Sequence, residues 1–233
     1  MTMVQTEVSE KLLDEPMYTV AEASRLVGIS DARVCRWLRG YSYEYRDARR
    51  RQRPVIHPAS GAETSFASFL DLVDLLFVKG FLDYGISLQR VRKALDEAAC
   101  ILGTEHFARQ SFFTDGRDIY LQVKKEGDAI LQLLSGGQWV IHDVITELAQ
   151  QIVFDATSEL ARRWYPRGRD GHIVLDPLVS FGRPSIVGTG VATSNVFDFF
   201  VAEGRKVRPV CRWFDLTQRQ VDAAVSFEER LAA

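Results

Sequence analysis

Nine arginines fall between Arg25 and Arg53, and only Asp31, Glu44 and Asp47 oppose them. The stretch holds a surplus of six positive charges in a chain of 233 residues whose formal net charge is −2, which leaves the other residues at −8. A guanidinium is a planar fork of donors that matches phosphate oxygens and the major-groove edge of guanine. A near-neutral chain that concentrates such groups in one place is suited to meet a polyanion at that place only.

The elements that must hold these groups are legible around them. Thr19 can cap a first helix whose inward residues are Val20, Ala23, Leu26 and Val27. Gly28 supplies a turn, Ile29 plugs it, and Ser30 starts a second helix with Val34, Trp37 and Leu38 inward. That spacing is a helix-turn-helix signal. It places Arg33 and Arg36 on the opposite side, one turn apart, with the small residues Ala32 and Cys35 beside them. Gly40 stops the helix. The expected readers of a duplex are Ser30, Arg33 and Arg36 near bases or adjoining phosphates. Arg39, Arg46, Arg49, Arg50, Arg51 and Arg53 are expected on phosphates. Tyr41 to Arg53 alternates aromatics with charges and reads as a wing, a β-hairpin or loop along the backbone, with Tyr41, Tyr43 and Tyr45 packing the hairpin.

Beyond the wing, Ser65 is expected to cap a periodic helix, FASFLDLVDLLFVKGFLDYG, with Phe69, Leu72, Val73, Leu76, Phe77 and Leu82 facing one core. Asp71, Asp74 and Asp83 read as its solvated face. Gly85 ends it, and Ser87 opens a second helix with Leu88, Val91, Leu95 and Ala98 or Ala99 inward, completing a helical hairpin. From about residue 105 the period shifts toward two. FFTDGRDIYLQV carries an Asp115–Gly116 turn between β-rich flanks, and ILQLL-SGG-QWVIH repeats the pattern. Asp143 to Phe154 returns to helical spacing, and SELARRWYP and HIVLDP read as strands. From Asp176 the chain is extended and rich in Gly and Pro. Three short helices follow, over 193–202, 207–214 and 217–231, with Thr217 capping the last.

The fold class expected is α+β. The domains are read as a flexible arm over 1–17, a DNA-binding head over 18–103, a central α+β part over 104–170 and a C-terminal trihelical interaction domain over 171–233. The composition is that of an ordinary globular chain, and no apolar run reaches the roughly 18 residues of a membrane span. The acidic start MTMVQTEVSEKLLDEP lacks the apolar stretch of a secretory signal, so a cytoplasmic location is expected. Cys35, Cys100 and Cys211 are far apart and read as free thiols. No histidine–cysteine spacing suggests a metal. No P-loop, GxGxxG or nucleophile pattern accompanies His142 and Asp143, which read as a helix start, so neither an enzyme nor a cofactor is expected.

Two segments carry a family resemblance. EPMYTVAEASRLVGISDARVCRWLRGY with FLDLVDLLFVKGFLDYGISLQRVRKAL is similar to the front of MerR-like winged helix regulators, and this implies a MerR-like winged helix-turn-helix head with a helical hairpin. LDPLVSFGRPSIVGTGVATSNVFDFFVAEG and the helices after it resemble a trihelical domain of unknown function. Asp176, Pro177, Gly182, Pro184, Gly188, Thr189, Thr217, Val221 and Ala224 fit its pattern, and Gly190 stands where that family has arginine. The long dimerising helix of MerR regulators is not seen after Leu102, so their effector mechanism is not expected. The combination resembles VapB-type antitoxins.

That resemblance implies autoregulation through double-stranded operator DNA, neutralisation of a VapC-type PIN-domain ribonuclease toxin, and a homodimer. It leaves Arg183 and Trp213 as candidate toxin contacts. The trihelical tail reads as a second helix-turn-helix-like unit and holds Arg205, Lys206, Arg208 and Arg212. Two rivals remain: a stand-alone MerR-like regulator with a ligand site in the central part, and a toxin-binding scaffold whose head reads no DNA.

Overall fold

Thr19 and Ser68 start two helices by the same device. Each hydroxyl accepts the backbone N–H of an acidic residue three places on, and that residue's carboxylate accepts the cap's own N–H. This capping box satisfies two donors that a helix start would otherwise leave bare. The computed structural model describes residues 11–46, 48–58, 65–93, 96, 106, 108, 148 and 150–232. They form helices and small antiparallel two-stranded sheets, in two units divided within residues 150–161.

In the first unit, β1 (Tyr18–Thr19) pairs antiparallel with β4 (Phe66–Ala67), so the two capped starts lie side by side. From them run α1 (Val20–Val27) and α3 (Phe69–Asp83). The turn after α1 is closed by Gly28 in the left-handed region, at φ 74°. Ser24 Oγ donates to Ile29 O at 2.7 Å, which pins the turn under the buried Ile29. Then comes α2 (Asp31–Arg39), with Val34, Trp37 and Leu38 buried as its spacing predicts. Ala23 and Val27 are buried too, whereas Val20 and Leu26 are only half-buried and Ser24 takes the inner place. Ser30 occupies the N-cap position but makes no side-chain cap bond.

The helix after the wing departs from its sequence reading in two ways. Its cap is Ser68, not Ser65, because the β1–β4 pair occupies Phe66 and Ala67. Asp71 and Asp74 are not a solvated face: both are fully buried, while Asp83 is exposed. Every residue from Phe69 to Val78 is buried, so α3 is the central helix of the unit, enclosed on all sides. Asp71 is the box partner of Ser68. Asp74 is held from far along the chain: its Oδ1 accepts Ala108 N–H at 3.0 Å, and its Oδ2 lies 2.7 Å from His106 Nδ1. His106 Nε2 reaches Asp14 Oδ1 at 3.2 Å. Burial alone would lower the histidine pKa, but the two carboxylates outweigh it and push it up to about 11. Burial raises the pKa of Asp71 and of Asp74.

Val91 is buried as expected, within a helical stretch over 88–93. Leu95, Ala98, Ala99, the FFTDGRDIYLQV and ILQLL-SGG-QWVIH hairpins and the first ten residues of the arm lie outside the described residues. Ile152–Phe154 forms strand β5 where helical spacing was expected; it forms a two-stranded sheet with β6 (Ala161–Trp164).

In the second unit, β7 (Ile173–Val174) pairs antiparallel with β8 (Ser185–Ile186). The stretch between them is not simply extended, since a 3-10 turn covers Ser180–Gly182. Asp176 is buried; its Oδ2 accepts Arg163 Nε–H at 2.6 Å and its Oδ1 accepts Leu178 N–H at 2.9 Å. Gly190 sits at φ 70°, a conformation that an arginine in its place would rarely adopt. The unit closes with α4 (Thr193–Ala202), α5 (Val207–Phe214) and α6 (Gln218–Ala232). Buried Thr193 on α4 donates its hydroxyl to Glu228 on α6. Thr217 caps α6 through a reciprocal pair with Gln220, as its sequence position predicts.

Candidate nucleic-acid interface

The wing grows directly out of α2. Gly40 ends α2 with its N–H on Arg36 O at φ 73°, and the chain enters β2 (Tyr41–Tyr45). β3 (Ala48–Gln52) returns antiparallel, with the tip turning at Arg46, φ 49°. A Cβ on Gly40 would stand 2.2 Å from Gln52 O, so no other residue fits where the returning strand crosses the helix end. Past the hairpin, Val55 and Ile56 are buried, and both donate N–H to Trp37 O, at 2.7 and 3.0 Å. The hairpin is thus tied to α2 at both ends.

The register sorts the wing into two faces. Opposed residues of an antiparallel pair project to the same side. Tyr43 opposes Arg50, Tyr41 opposes Gln52, and Tyr45 opposes Ala48. Ser42 opposes Arg51, and Glu44 opposes Arg49. Three tyrosines and Arg50 therefore share one face, and Arg49 and Arg51 share the other with Ser42 and Glu44. On the tyrosine face the arginines rest on rings: Arg50 lies 4.9 Å and Arg46 5.2 Å from the Tyr45 centroid. Arg36 of α2 lies 5.5 Å from the Tyr41 centroid, and Tyr41 is 5.9 Å from Tyr43. Cation–ring contact leaves the guanidinium edge available for hydrogen bonds while restricting where it points.

Arg33, Arg36, Arg46, Arg49, Arg50, Arg51 and Arg53 are all exposed, and Arg39 is half-exposed. Among the described residues, Arg53 is the member of this set in an ion pair, 3.8 Å from Asp96 with both side chains in solvent. Such a pair is worth little and is readily exchanged. The structure therefore brings together the α2 and wing arginines named from sequence. The sequence did not reveal the tyrosines as seats for arginines. Their two-residue period carried that signal, but the register was needed to interpret it. The two candidate partner contacts lie in the second unit. Arg183 is exposed just after the 3-10 turn, and Trp213 is 71% exposed and stacks on Phe199 at 5.4 Å.

Residues 16–95 match the family described as "Putative DNA-binding HTH domain". The head is a helix-turn-helix domain. Residues 173–227 match a second family, "Protein of unknown function (DUF433)", which covers β7, β8 and most of the three-helix end behind the helix-turn-helix domain. The chain is a homologue of "Putative antitoxin VapB45" of Mycobacterium tuberculosis, 29% identical over 201 residues, which cover 80% of this chain and 83% of that protein. It is also 36% identical over 88 residues to "Uncharacterized HTH-type transcriptional regulator Rv1830" of the same species. That match covers 37% of this chain and 38% of the regulator. The crystal structure of Rv2018 from Mycobacterium tuberculosis superposes with a TM-score of 0.67 at 25% identity, covering 91% of this chain and 98% of that one. The sequence expectation of a helix-turn-helix head before a helical domain of unknown function holds. The relatives are antitoxin-like and regulator-like proteins, and no described helix is long and apolar enough to cross a membrane.

Proposed function

We propose that this chain is a type II antitoxin. Its winged helix-turn-helix head binds operator DNA, and the rest of the chain, as a homodimer, holds a VapC-type PIN-domain ribonuclease inactive in the cytoplasm. The observation that carries the DNA half is the set of exposed arginines running from α2 onto the wing, with Arg36 seated on Tyr41 where the two elements join. Arg33 and Arg36 approach base edges or adjoining phosphates, with Ser30 beside them; Arg39, Arg46, Arg49, Arg50, Arg51 and Arg53 neutralise phosphates. A dimer doubles these contacts on a palindromic site. The likeness to an antitoxin supports the toxin half. Exposed Phe181 and Trp213, with Arg183, offer the apolar and cationic surface that a protein partner would cover.

The test uses the full chain and the duplex upstream of its own reading frame. With about five phosphates neutralised per head, log K falls against log salt with a slope of about −4 to −5 per head. Replacing Arg33 or Arg36 by alanine costs selectivity, about 1–3 kcal/mol for a bidentate base contact. Unchanged affinity in those variants and in a variant with Arg49, Arg50 and Arg51 all changed to alanine overturns the DNA half. Co-expression with a neighbouring PIN-domain protein, read by co-purification and loss of ribonuclease activity, tests the other half.

A further inference from the structure

The turn between α5 and α6 repeats the backbone hydrogen-bond pattern of the turn between α1 and α2. In the head, Gly28 N–H and Ile29 N–H both donate to Ser24 O, at 2.8 and 3.1 Å. In the second unit, Asp215 N–H and Leu216 N–H both donate to Cys211 O, the latter at 3.0 Å. Gly28 sits at φ 74°, ψ 45°, and Asp215 at φ 53°, ψ 47°, the left-handed conformation that aspartate tolerates better than most side chains. The next residue is a buried apolar plug in both, Ile29 and Leu216. The third residue is a hydroxyl at the helix start, Ser30 and Thr217, whose carbonyl accepts the N–H of Val34 and of Val221 at 3.1 Å in each. The preceding helix has eight residues in both cases. The inward positions also correspond: Ala23 with Val210, Val34 with Val221, and Trp37 with Ala224 are all buried.

Two independent observations therefore meet in this unit. One is the backbone of a second helix-turn-helix. The other is charge: between Arg205 and Arg219 stand five cations, Arg205, Lys206, Arg208, Arg212 and Arg219, against the single acid Asp215. All five cations are exposed. Arg205 is drawn to Glu229 at 3.2 Å, and the other four have no carboxylate within ion-pair distance among the described residues. A local surplus of four in an acidic chain, carried on a helix-turn-helix backbone, points to a polyanion as its partner.

We infer that the α5–α6 unit is a second duplex-binding element, with Lys206, Arg208, Arg212 and Arg219 on phosphates, so that one chain engages two segments of DNA. Among the described residues no hairpin adjoins its second helix, which carries Asp222 on its exposed face. Its part is to position the chain on the backbone, adding affinity through linkage to the head and little base selectivity. The inference rests on duplex binding by this protein but not on the head being the reader.

The experiment compares the intact chain with a variant in which Arg208, Arg212 and Arg219 are alanine and with one in which they are lysine. Each is bound to a long upstream duplex across a salt series and then footprinted. The alanine variant is expected to lose tens-fold in affinity, to flatten the log–log salt slope by about 2–3 units, and to shorten the footprint. The lysine variant restores slope and footprint. Unaltered circular dichroism and melting in both variants shows that the fold is kept, as expected at exposed positions. The same slope and footprint in the alanine variant overturns the inference, as does loss of a co-purifying protein with DNA binding intact. Loss with the tail variant but none with the Arg49, Arg50 and Arg51 variant overturns the head as reader and leaves this inference standing.

Discussion

Arg36 rests on Tyr41: the guanidinium carbon on α2 lies 5.5 Å from the centroid of the first ring of the wing. The pair joins the two elements proposed to meet a duplex together. Tyr41→Phe keeps the ring and is expected to leave affinity for the upstream duplex unchanged. Tyr41→Ala frees Arg36 and is expected to weaken binding by about 0.5–1 kcal/mol, the range of an exposed cation–ring contact. Competition binding against the same duplex separates the two outcomes.

Glu44 lies opposite Arg49 on the face that also holds Arg51. Its carboxylate offsets part of the field these arginines present to a phosphate. Glu44→Gln is therefore expected to tighten duplex binding several-fold at low salt and to steepen the salt slope by at most about one unit. Arg50, seated on the tyrosine face, is outside this pairing. Arg50→Ala is expected to cost more affinity than Arg49→Ala, measured by titration at one fixed salt concentration.

Gly40→Ala places a methyl group against a backbone carbonyl, which cannot step aside as a flexible side chain would. The expected loss of stability is about 2–4 kcal/mol, combining a strained φ with a clash. Gly28→Ala meets open space and is expected to cost about 1–2 kcal/mol for its left-handed φ alone. Urea unfolding of the two variants tests this ordering.

His106 lies between Asp74 and Asp14, and its folded-state pKa is pushed up to about 11 from the ordinary 6.5. Its contribution to stability is complete below about pH 6.5 and declines as pH rises toward 11, because the unfolded chain releases that proton first. His106→Ala is expected to remove this part of the pH dependence. It also strands Asp74 among apolar residues, a loss of about 3–5 kcal/mol when one member of a buried pair is deleted. Urea midpoints at pH 6 and pH 9 check both statements.

The head was legible because its signals are local. A cap, a 3.6-residue period and a glycine turn all fall within about twenty residues, and each agrees with the others. Asp71 and Asp74 were misread for the opposite reason. Carboxylates at helical spacing ordinarily face water, and what draws these inward is a cap three residues away in one case and a histidine 32 residues away in the other. Asp176 was recognised as part of a family pattern, yet its role as the buried acceptor for Arg163, 13 residues upstream, needed coordinates. Ile152–Phe154 was read as helix because β-branched residues continue a helical spacing there; pairing with β6 decided otherwise. The arginines were visible from their number, but which share a face was fixed by a register that composition does not encode.

The division of labour within α2 has one more consequence. Val34, Trp37 and Leu38 carry the buried packing, whereas Ala32 and Arg33 face solvent and Arg36 makes only its exposed contact with Tyr41. Those outward positions form a cassette that can be rewritten without disturbing its frame. A library randomised there should yield folded proteins throughout, differing in the DNA they select, so target preference in this scaffold can drift or be engineered independently of stability.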